Sequence, residues 1–505
     1  MGRTLKRAQE HLALALAGAI LCVLSLLPLA AVVAEAPVGA LATLSSPTPW
    51  LLLLRSCALA AAVTACALAV GVPLGLLLGR GDVPGRRAAL LLHALPAFLP
   101  PFIIALGWFY LPHADALFSF AGAIGVETAA FAPVVTILVA LGVQAIDPSL
   151  EEAGRLSAPP WRVARQIVLP AAWPAAALGA LLVFALSLSE LGVPLFLRVR
   201  AYPAAVFARL GAVEYAPGEA AVLALPMLAV AAALLLVERR IGARRSFAVL
   251  GLRGEERPLL SLGRHRTGMT IGCWLAAAIS VVPLLGLAIR ALRDGGFNQI
   301  EIGTSAWNSI VPSALAATVL TTVGIVVGRA VARGRPGSSV LDGIAVLAFV
   351  TPAAVLGVGI IMVWNRPSTA ALYRSVAILA VGFAARYAAI PSRAIAVAIA
   401  QSSPHLEEAA AVHGAGFLRR MRRIVVPLHW RAIAGAWLLA FVFCMRDLET
   451  AVLFYPPGGA PLTVRILTME ANGAPAIVAA LSLAQCGLVA AAVAAGALLL
   501  SGARR

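Results

Sequence analysis

The sequence LEEAAAVHGAGFLRRMRRIVVP, residues Leu406 to Pro427, is the longest polar, charged insertion in the second half of the chain. It matches an earlier sequence, LEEAGRLSAPPWRVARQIVLP, at Leu150 to Pro170. We call these the second and first repeated segments. A shift of 257 positions superimposes most of the two, whereas the leading LEEA residues match at 256, because the first copy has one residue fewer. The residues that superimpose at 257 are Arg162 on Arg419, Arg165 on Arg422, Ile167 on Ile424, Pro170 on Pro427, Trp173 on Trp430, Phe184 on Phe441 and Glu190 on Asp447. The chain therefore contains two copies of one unit.

The composition indicates a membrane protein. Of the 505 residues, 61% are hydrophobic and 12% are charged, whereas roughly a quarter of the residues of a soluble domain are charged. The apolar residues form runs of about 20, the length that an α-helix needs to cross the bilayer core. The short alternating segments of a membrane β-barrel are absent from the sequence. We therefore predict an all-α polytopic membrane protein.

The net charge of +17 could indicate a nucleic-acid partner, but the positions of the arginines argue otherwise. They cluster in every second inter-helix segment, as the positive-inside rule describes. This pattern predicts that both repeated segments and both termini are cytoplasmic, and no nucleic-acid surface is needed to explain the charge. The clusters are Arg80, Arg86 and Arg87; Arg155, Arg162 and Arg165; Arg239 to Arg266; Arg329, Arg333 and Arg335; Arg419 to Arg423; Arg504 and Arg505.

The apolar runs predict about twelve transmembrane helices, six in each copy. An even number per copy orients both copies alike, related by an axis along the membrane normal. We predict a first six-helix domain at 1–238, a cytoplasmic basic linker at 239–268 and a second six-helix domain at 269–505. The predicted helices are 12–34, 57–79, 88–111, 129–146, 171–193, 219–237, 269–291, 309–329, 340–364, 371–399, 429–453 and 475–500.

The N-terminus resembles a signal peptide, since basic residues precede an apolar run. That run spans 23 residues, from Leu12 to Ala34, and is longer than the apolar region of a cleaved signal. We predict a retained first helix. Prolines and glycines in the third helix of each copy predict kinks, and packing explains them more simply than a gate. These are Pro96, Pro100 and Pro101, and Pro352, Gly357 and Gly359.

Each repeated segment places an acid pair, small residues and several arginines between two membrane helices. Glu, Ala and Arg support short helices, and Ser157 or Gly414 supplies a bend between two of them. Pro170 and Pro427 suit a helix start, where the missing N–H costs nothing. The pattern predicts a helix–turn–helix on the cytoplasmic face that another protein can approach closely.

The second segment resembles the EAA signature of the permease subunits of binding-protein-dependent ABC importers. It reads E408-A-A-x3-G414-x9-I424-x-V426-P427, with valine for the usual leucine, and the first segment matches with serine for the glycine and one residue fewer. The resemblance covers essentially the whole chain, as a fused double permease. It implies that these segments are coupling helices that dock into two copies of a cytoplasmic ABC ATPase. The residues implied in coupling are Glu151, Glu152, Ala153, Ser157, Pro170, Glu407, Glu408, Ala409, Gly414 and Pro427.

The chain itself is predicted not to be an enzyme. A P-loop requires GxxxxGK[ST], and the only lysine in the sequence is Lys6. ATP and magnesium would therefore be bound by the partner ATPase subunits, and we predict no catalytic residue and no cofactor on this chain. The cysteines and histidines lack metal-ligand spacing, which predicts no metal site.

Ionisable residues inside a membrane helix indicate function. Glu190 and Asp447 fall at equivalent positions of the fifth helix of each copy, and Arg446 and Glu449 flank the second. About 20 residues of helix separate each acid from its proline, which predicts a position near the outer membrane face. These four residues are candidates for a translocation pathway that receives a cation. Interfacial ion pairs of Arg446 with Asp447 or Glu449 explain them equally well.

The sequences SLEEAGRL, VFALSLSELGVPLFLR and FCMRDLETAVLFYPPGGAPLTVRI are similar to those of the fused ferric iron permeases. The resemblance implies an inner-membrane importer of ferric iron, with an extracytoplasmic binding protein as partner. Importers of thiamine, polyamine, sulfate and phosphonate share much of this pattern. An ion-gradient-driven secondary transporter of twelve helices would leave both repeated segments without a purpose. A membrane scaffold or receptor without transport is a third alternative, which would be supported if no ATPase co-purified.

Overall fold

A computed structural model describes residues 2–112, 114–210, 215–243 and 262–501. Among those residues, nine helices are long and apolar enough to cross a membrane, and three bent helix pairs raise the number of spans to as many as twelve. This confirms the predicted all-α polytopic class. We number the spans α1 Gln9–Ala34, α2 Pro47–Arg80, α3 Arg86–Phe98 with Pro101–Phe109, α4 Phe120–Gln144, α5 Ala164–Ser189, α6 Pro217–Ile241, α7 Gly263–Arg293, α8 Gly303–Ala332, α9 Ser338–Val350 with Ala353–Trp364, α10 Pro367–Tyr373 with Ala377–Tyr387 and the adjoining Ala389–Ala400, α11 Phe417–Met445 and α12 Pro475–Leu499.

The third span of each copy is folded back rather than kinked. The two parts of α3 meet at 103° and the two parts of α9 at 108°. A residue that precedes proline is disfavoured in helical conformation. Leu99 before Pro100 and Thr351 before Pro352 are accordingly extended, with ψ of 151° and 129°. The prolines therefore break these spans more sharply than the sequence analysis predicted.

The fifth and eleventh helices end earlier than predicted, at Ser189 and Met445. The predicted ranges 171–193 and 429–453 are too long at this end, so Glu190 and Asp447 lie just beyond the helices rather than inside them. Each carboxylate instead accepts a hydrogen bond from a backbone N–H three residues on, that of Val193 at 3.1 Å or Thr450 at 2.8 Å. These bonds satisfy donors at the start of the next short helix, a local alternative that apolar composition does not reveal.

Pro170 and Pro427 lie in the first turn of α-helices Leu169–Ser189 and Val426–Met445, as predicted. The sequence did not predict that a π-helical turn, Ala164–Val168 or Met421–Val425, precedes each proline and continues the helix upstream. A proline ring clashes with the carbonyl one turn before it, and the wider π turn leaves room for the ring. The same arrangement occurs in α1, where Cys22–Leu26 is π-helical just before Pro28.

The first span of each copy packs against the other copy. Span α1 lies along α8, α9 and α10, whereas α7 lies along α3. Two equivalent glycines permit the contact, since a Cβ on Gly359 would overlap the carbonyl oxygen of Pro28 and one on Gly107 that of Pro283. Each copy thus completes its packing with a helix from the other.

The domain boundaries at 238 and 269 stay a prediction. In the described part of the predicted linker, helix Pro217–Ala243 continues beyond residue 238, and α7 begins at Gly263. Residues 244–261, and the C-terminal arginines 504 and 505, lie outside the described residues.

Candidate translocation pathway and coupling surface

A buried ionic group, which we call the central cluster, joins the two copies: Ser189, Arg386, Tyr387, Asp447 and Glu449. The guanidinium of Arg386 lies 3.2 Å from Asp447 Oδ2 and 2.8 Å from Glu449 Oε2. It also donates to Ser189 Oγ at 2.7 Å, and Ser189 donates in turn to Glu449 at 2.8 Å. Tyr387 donates to Asp447 at 2.8 Å. The cluster therefore closes the space between the copies with charged and hydrogen-bonded groups.

The four predicted pathway residues all lie at this place, but with different partners from those expected. Arg386, on α10, holds both Asp447 and Glu449. Arg446 instead donates to the carbonyl oxygen of Ala97 in α3. Among the described residues, Asp447 and Glu449 therefore pair with Arg386 and not, as predicted, with Arg446. Glu190 lines a small cavity beside the central cluster. All four residues are buried, not exposed at an outer mouth.

Two cavities lie one after the other along the interface between the copies. The smaller, about 30 Å³, lies within the central cluster and is lined by Pro100 and Pro101 at the α3 bend. The larger, about 320 Å³, is lined almost entirely by apolar side chains of both copies. Phe443 borders both cavities. The central cluster therefore caps one end of an apolar chamber.

A second ionic group, which we call the lower ionic group, lies at the other end of that chamber. Arg393 pairs with Asp342 through two bonds of 2.9 and 2.8 Å and with Glu238 at 2.7 Å. Arg239 adds a contact to Asp342 at 3.3 Å. Glu238 and Arg239 belong to α6 of the first copy, so this group too joins the copies. Arg393 and Arg386 are two helical turns apart on α10, about 10 Å.

The second repeated segment is fixed to α8 through one of its two acids. Glu407 is buried and binds Arg329 at 2.7 Å and Arg333 at 3.0 Å. Burial alone would raise the pKa of the Glu407 carboxyl, but the guanidinium groups of Arg329 and Arg333 outweigh it, and the pKa is lowered. Arg329 also binds Glu10 at 2.9 Å. The N-terminal span α1 therefore shares this ionic junction.

The neighbouring acid of this segment points outward. Glu408 is exposed and contacts only His405 among the described side chains, at 3.1 Å. Ala409 is exposed beside it, and Gly414, with φ of +92°, makes the predicted bend after helix His405–Val412. Pro427 is exposed at the start of the membrane part of α11. The surface available to another protein thus includes Glu408 but not Glu407.

The first repeated segment has the same plan. Its helix Pro148–Ser157 begins after Asp147, whose carboxylate accepts from Ser149 N at 2.9 Å. That hydrogen bond lowers the pKa of the Asp147 carboxyl. Ala153 and Pro170 are exposed. The side chains of Glu151, Glu152 and Ser157 lie outside the described residues, so their predicted coupling roles stay predictions.

Equivalent apolar side chains project from both repeated segments into solvent. Leu156 is 90% exposed and Val412 is 84% exposed, and they correspond at the shift of 256. Leu150 and Leu406 correspond in the same way and are also exposed. Single exposed apolar side chains are common on protein surfaces, so what distinguishes these residues is that they recur at matching positions of both segments. The sequence analysis missed them, although the 256-residue shift would have identified both pairs.

Arg386, Ser189 and Arg329 are further residues that the sequence analysis did not assign to a site. Arg386 stood out only as an arginine inside an apolar run. Arg329 follows Gly328 at the end of α8 just as Arg80 follows Gly79 at the end of α2, and Arg80 donates to the Val143 carbonyl oxygen at 2.8 Å. The Gly-Arg pair that recurs in both copies could have predicted a structural role for Arg80 and Arg329.

Comparison with known proteins agrees with these features. Residues 71–246 match the family described as binding-protein-dependent transport system inner membrane component. The molybdate/tungstate transport system permease protein WtpB of Thermococcus kodakarensis is 34% identical over 30% of this chain and 61% of its own. The ferric transport system permease protein FbpB of Actinobacillus pleuropneumoniae is 24% identical over 75% of this chain and 61% of its own. A putative 2-aminoethylphosphonate permease protein, PhnU of Salmonella typhimurium, is 38% identical over 19% of this chain and 34% of its own.

The chain thus spans about three fifths of the length of the first two relatives. The family match includes the whole first repeated segment and spans α4 and α5. The similarity to FbpB extends over most of the chain and therefore into both copies. Residues 71–246 therefore match the inner-membrane components of binding-protein-dependent transport systems, and the chain is similar to ferric permeases over most of its length.

Proposed function

We propose that this chain is the membrane channel of an ATP-driven importer, docked by two copies of a cytoplasmic ABC ATPase through its two repeated segments. The observation that carries the proposal is the matched exposure of Leu156 and Val412. Two equivalent apolar side chains on two equivalent helices fit two identical partners. A secondary transporter driven by an ion gradient would have no use for this pair.

Transmission of force follows from the ionic junction behind the second segment. Glu407 fixes helix His405–Val412 to the end of α8, so a displacement of that helix by a partner is passed to a membrane span. ATP-driven closure of the partner shifts the channel between outward-open and inward-open states only if it contacts the two states with different free energy. The attachment of the segment to α8 is the route by which such a difference would reach the membrane spans.

Ferric iron, delivered by an extracytoplasmic binding protein, is the substrate that we propose. The similarity to ferric permeases covers both copies. Three acidic side chains, Glu190, Asp447 and Glu449, line the small cavity with only two arginines, a balance that favours cations over anions. Uptake of molybdate or tungstate is the second candidate, because WtpB is the relative with 34% identity over 152 residues.

Reconstitution tests the proposal. The full chain is placed in vesicles with its ATPase, and binding proteins loaded with ferric ion, molybdate or 2-aminoethylphosphonate are added outside. We expect the ferric form to stimulate ATP hydrolysis and iron uptake. Stimulation by another loaded binding protein would change the substrate, whereas ion-driven uptake without ATP would refute the importer itself.

Docking is tested separately. Leu156→Asp and Val412→Asp should each abolish co-purification of the ATPase, since a charge on the apolar contact cannot be desolvated cheaply. The size-matched variants Leu156→Met and Val412→Ile should retain it. Retention of the ATPase by both aspartate variants would show that these side chains do not form the docking surface.

A further inference from the structure

A basic groove lies between the N-terminal span and the second repeated segment. It encloses about 590 Å³ and is lined by Gln9, Gly414, Gly416, Leu418, Arg419, Arg422 and Arg423. All three arginines are exposed. No acidic residue is among these lining residues, so the groove presents three positive charges to whatever enters it.

Two of the three acids closest in sequence to this groove are already neutralised, and the third, Glu408, contacts His405. Glu407 is bound by Arg329 and Arg333, and Glu10 is bound by Arg329 and Arg335. These contacts occupy the carboxylates on the buried side of the segment. The charge of the groove is therefore available to an anion from outside the chain.

We expect the groove to lie near the depth of the lipid headgroups. Trp430 and its equivalent Trp173 are exposed on α11 and α5, and exposed tryptophans at helix ends are typical of the membrane interface. Arg423 precedes Trp430 by seven residues, across the end of the π-helical turn Met421–Val425 and the non-helical His429. We therefore expect the guanidinium groups on the cytoplasmic side of the interfacial tryptophan, where phosphate groups lie.

We propose that this groove binds the phosphodiester headgroup of an anionic phospholipid of the cytoplasmic leaflet. Basic pockets beside membrane spans on that side suit such headgroups, and guanidinium groups match phosphate oxygens in pairs. Leu418, exposed at the rim, provides an apolar surface for the start of an acyl chain. A bound lipid would thereby help to hold the second repeated segment in position.

An asymmetry between the copies argues for a lipid rather than an ATPase. Two identical ATPases would meet equivalent surfaces, but Gln166 of the first copy stands where the second has Arg423. Gln9, from α1, lines the groove beside the second segment. The charge of Arg423 thus has no counterpart at the equivalent position of the first copy, whereas the exposed residues that we assign to ATPase docking occur in both copies.

The test uses the delipidated full chain in detergent, titrated with mixed micelles containing phosphatidylglycerol or phosphatidylcholine, with bound lipid counted by native mass spectrometry. We expect preferential binding of phosphatidylglycerol. Each arginine near an anionic surface contributes about fivefold, so Arg422→Gln with Arg423→Gln should weaken binding about 25-fold. The matched pair Arg155→Gln with Arg165→Gln removes two exposed arginines from the first segment and should leave it unchanged.

Four results would overturn the proposal. Equal binding of both lipids would show that the groove does not recognise the charge of the headgroup, and equal loss in the two double variants would show only general surface charge. Displacement of the lipid by millimolar inorganic phosphate would show a site for a free anion. If the Arg422 and Arg423 variant instead loses affinity for the ATPase in phosphatidylcholine alone, with thermal stability unchanged, the groove is a protein contact.

Discussion

We expect the two adjacent acids of the second repeated segment to have different roles. Glu407 should hold the segment to α8, and Glu408 should contact the partner ATPase. Glu407→Gln removes the charge that binds Arg329 and Arg333, of which Arg329 is almost fully buried. Removing one partner of a buried ion pair costs about 3–5 kcal/mol. Glutamine still accepts one hydrogen bond, and Arg333 is partly solvated, so we expect a cost of about 2–3 kcal/mol. Glu408→Gln changes an exposed side chain and should cost the fold almost nothing.

Hydrogen exchange measures the first effect where it occurs. Helix His405–Val412 should lose protection by about 30-fold to 150-fold in Glu407→Gln, because local opening requires that much less free energy. Glu408→Gln should leave exchange unchanged and lower the affinity for the ATPase by about fivefold, the loss of one exposed ion pair. If Glu407→Gln weakens ATPase binding while exchange stays at the wild-type rate, the roles of the two acids are reversed and our reading of the junction is wrong.

Three further outcomes follow from the structure. Arg386→Gln leaves two buried acids unpaired and should lower the thermal stability of the purified chain, and adding Asp447→Asn should restore part of it; a double variant less stable than the single would contradict the pairing. The pKa of Glu407 is lowered from its ordinary value of 4.5. Its contribution to stability is therefore intact above pH 4.5 and is lost as the pH falls through the lowered value. Hydrogen-exchange protection of helix His405–Val412, corrected for the intrinsic exchange rate at each pH, should fall there in the wild type but not in Glu407→Gln. Gly359→Ala should destabilise the packing of α1, whereas Gly125→Ala, which meets open space, should not, as thermal unfolding of both variants would show.

The sequence predicted the elements that depend on composition. Runs of apolar residues located the spans, because the length of an apolar helix is set by the bilayer rather than by particular neighbours. The 257-residue repeat also brought Glu190 and Asp447 into correspondence, and the structure places both at one cavity. Local composition could not show that α5 and α11 end at these acids, since apolar residues resume soon after each of them, LGVPLF after Glu190 and AVLF after Thr450.

The sequence could not predict which side chains pair between the two copies, and the reason is different. Arg386 pairs with acids about 60 residues away and with Ser189 of the other copy, and no local pattern encodes which arginine reaches which acid. Likewise, the crossing of α1 and α7 to the opposite copies depends on glycines that fit one particular carbonyl oxygen. The outward direction of Glu408 and the inward direction of Glu407 differ by one helical position, which the sequence alone left open.

The central cluster and the lower ionic group lie on one helix, and this arrangement permits a sharp final prediction. Both Arg386 and Arg393 belong to α10, and each is bonded to the first copy, through Ser189 and Glu238 respectively. A tilt of α10 against the first copy can therefore break one attachment while the other acts as a pivot, so the two ends of the chamber need not open together.

Arg393→Gln should release the lower end alone. In a background without native cysteines, Leu182→Cys, which lines the apolar chamber, should then react faster with a charged maleimide added on the predicted cytoplasmic side. Arg386→Gln should instead speed its reaction with reagent added on the opposite side. Equal acceleration from both sides by either variant would show that the two ionic groups do not act as separate closures.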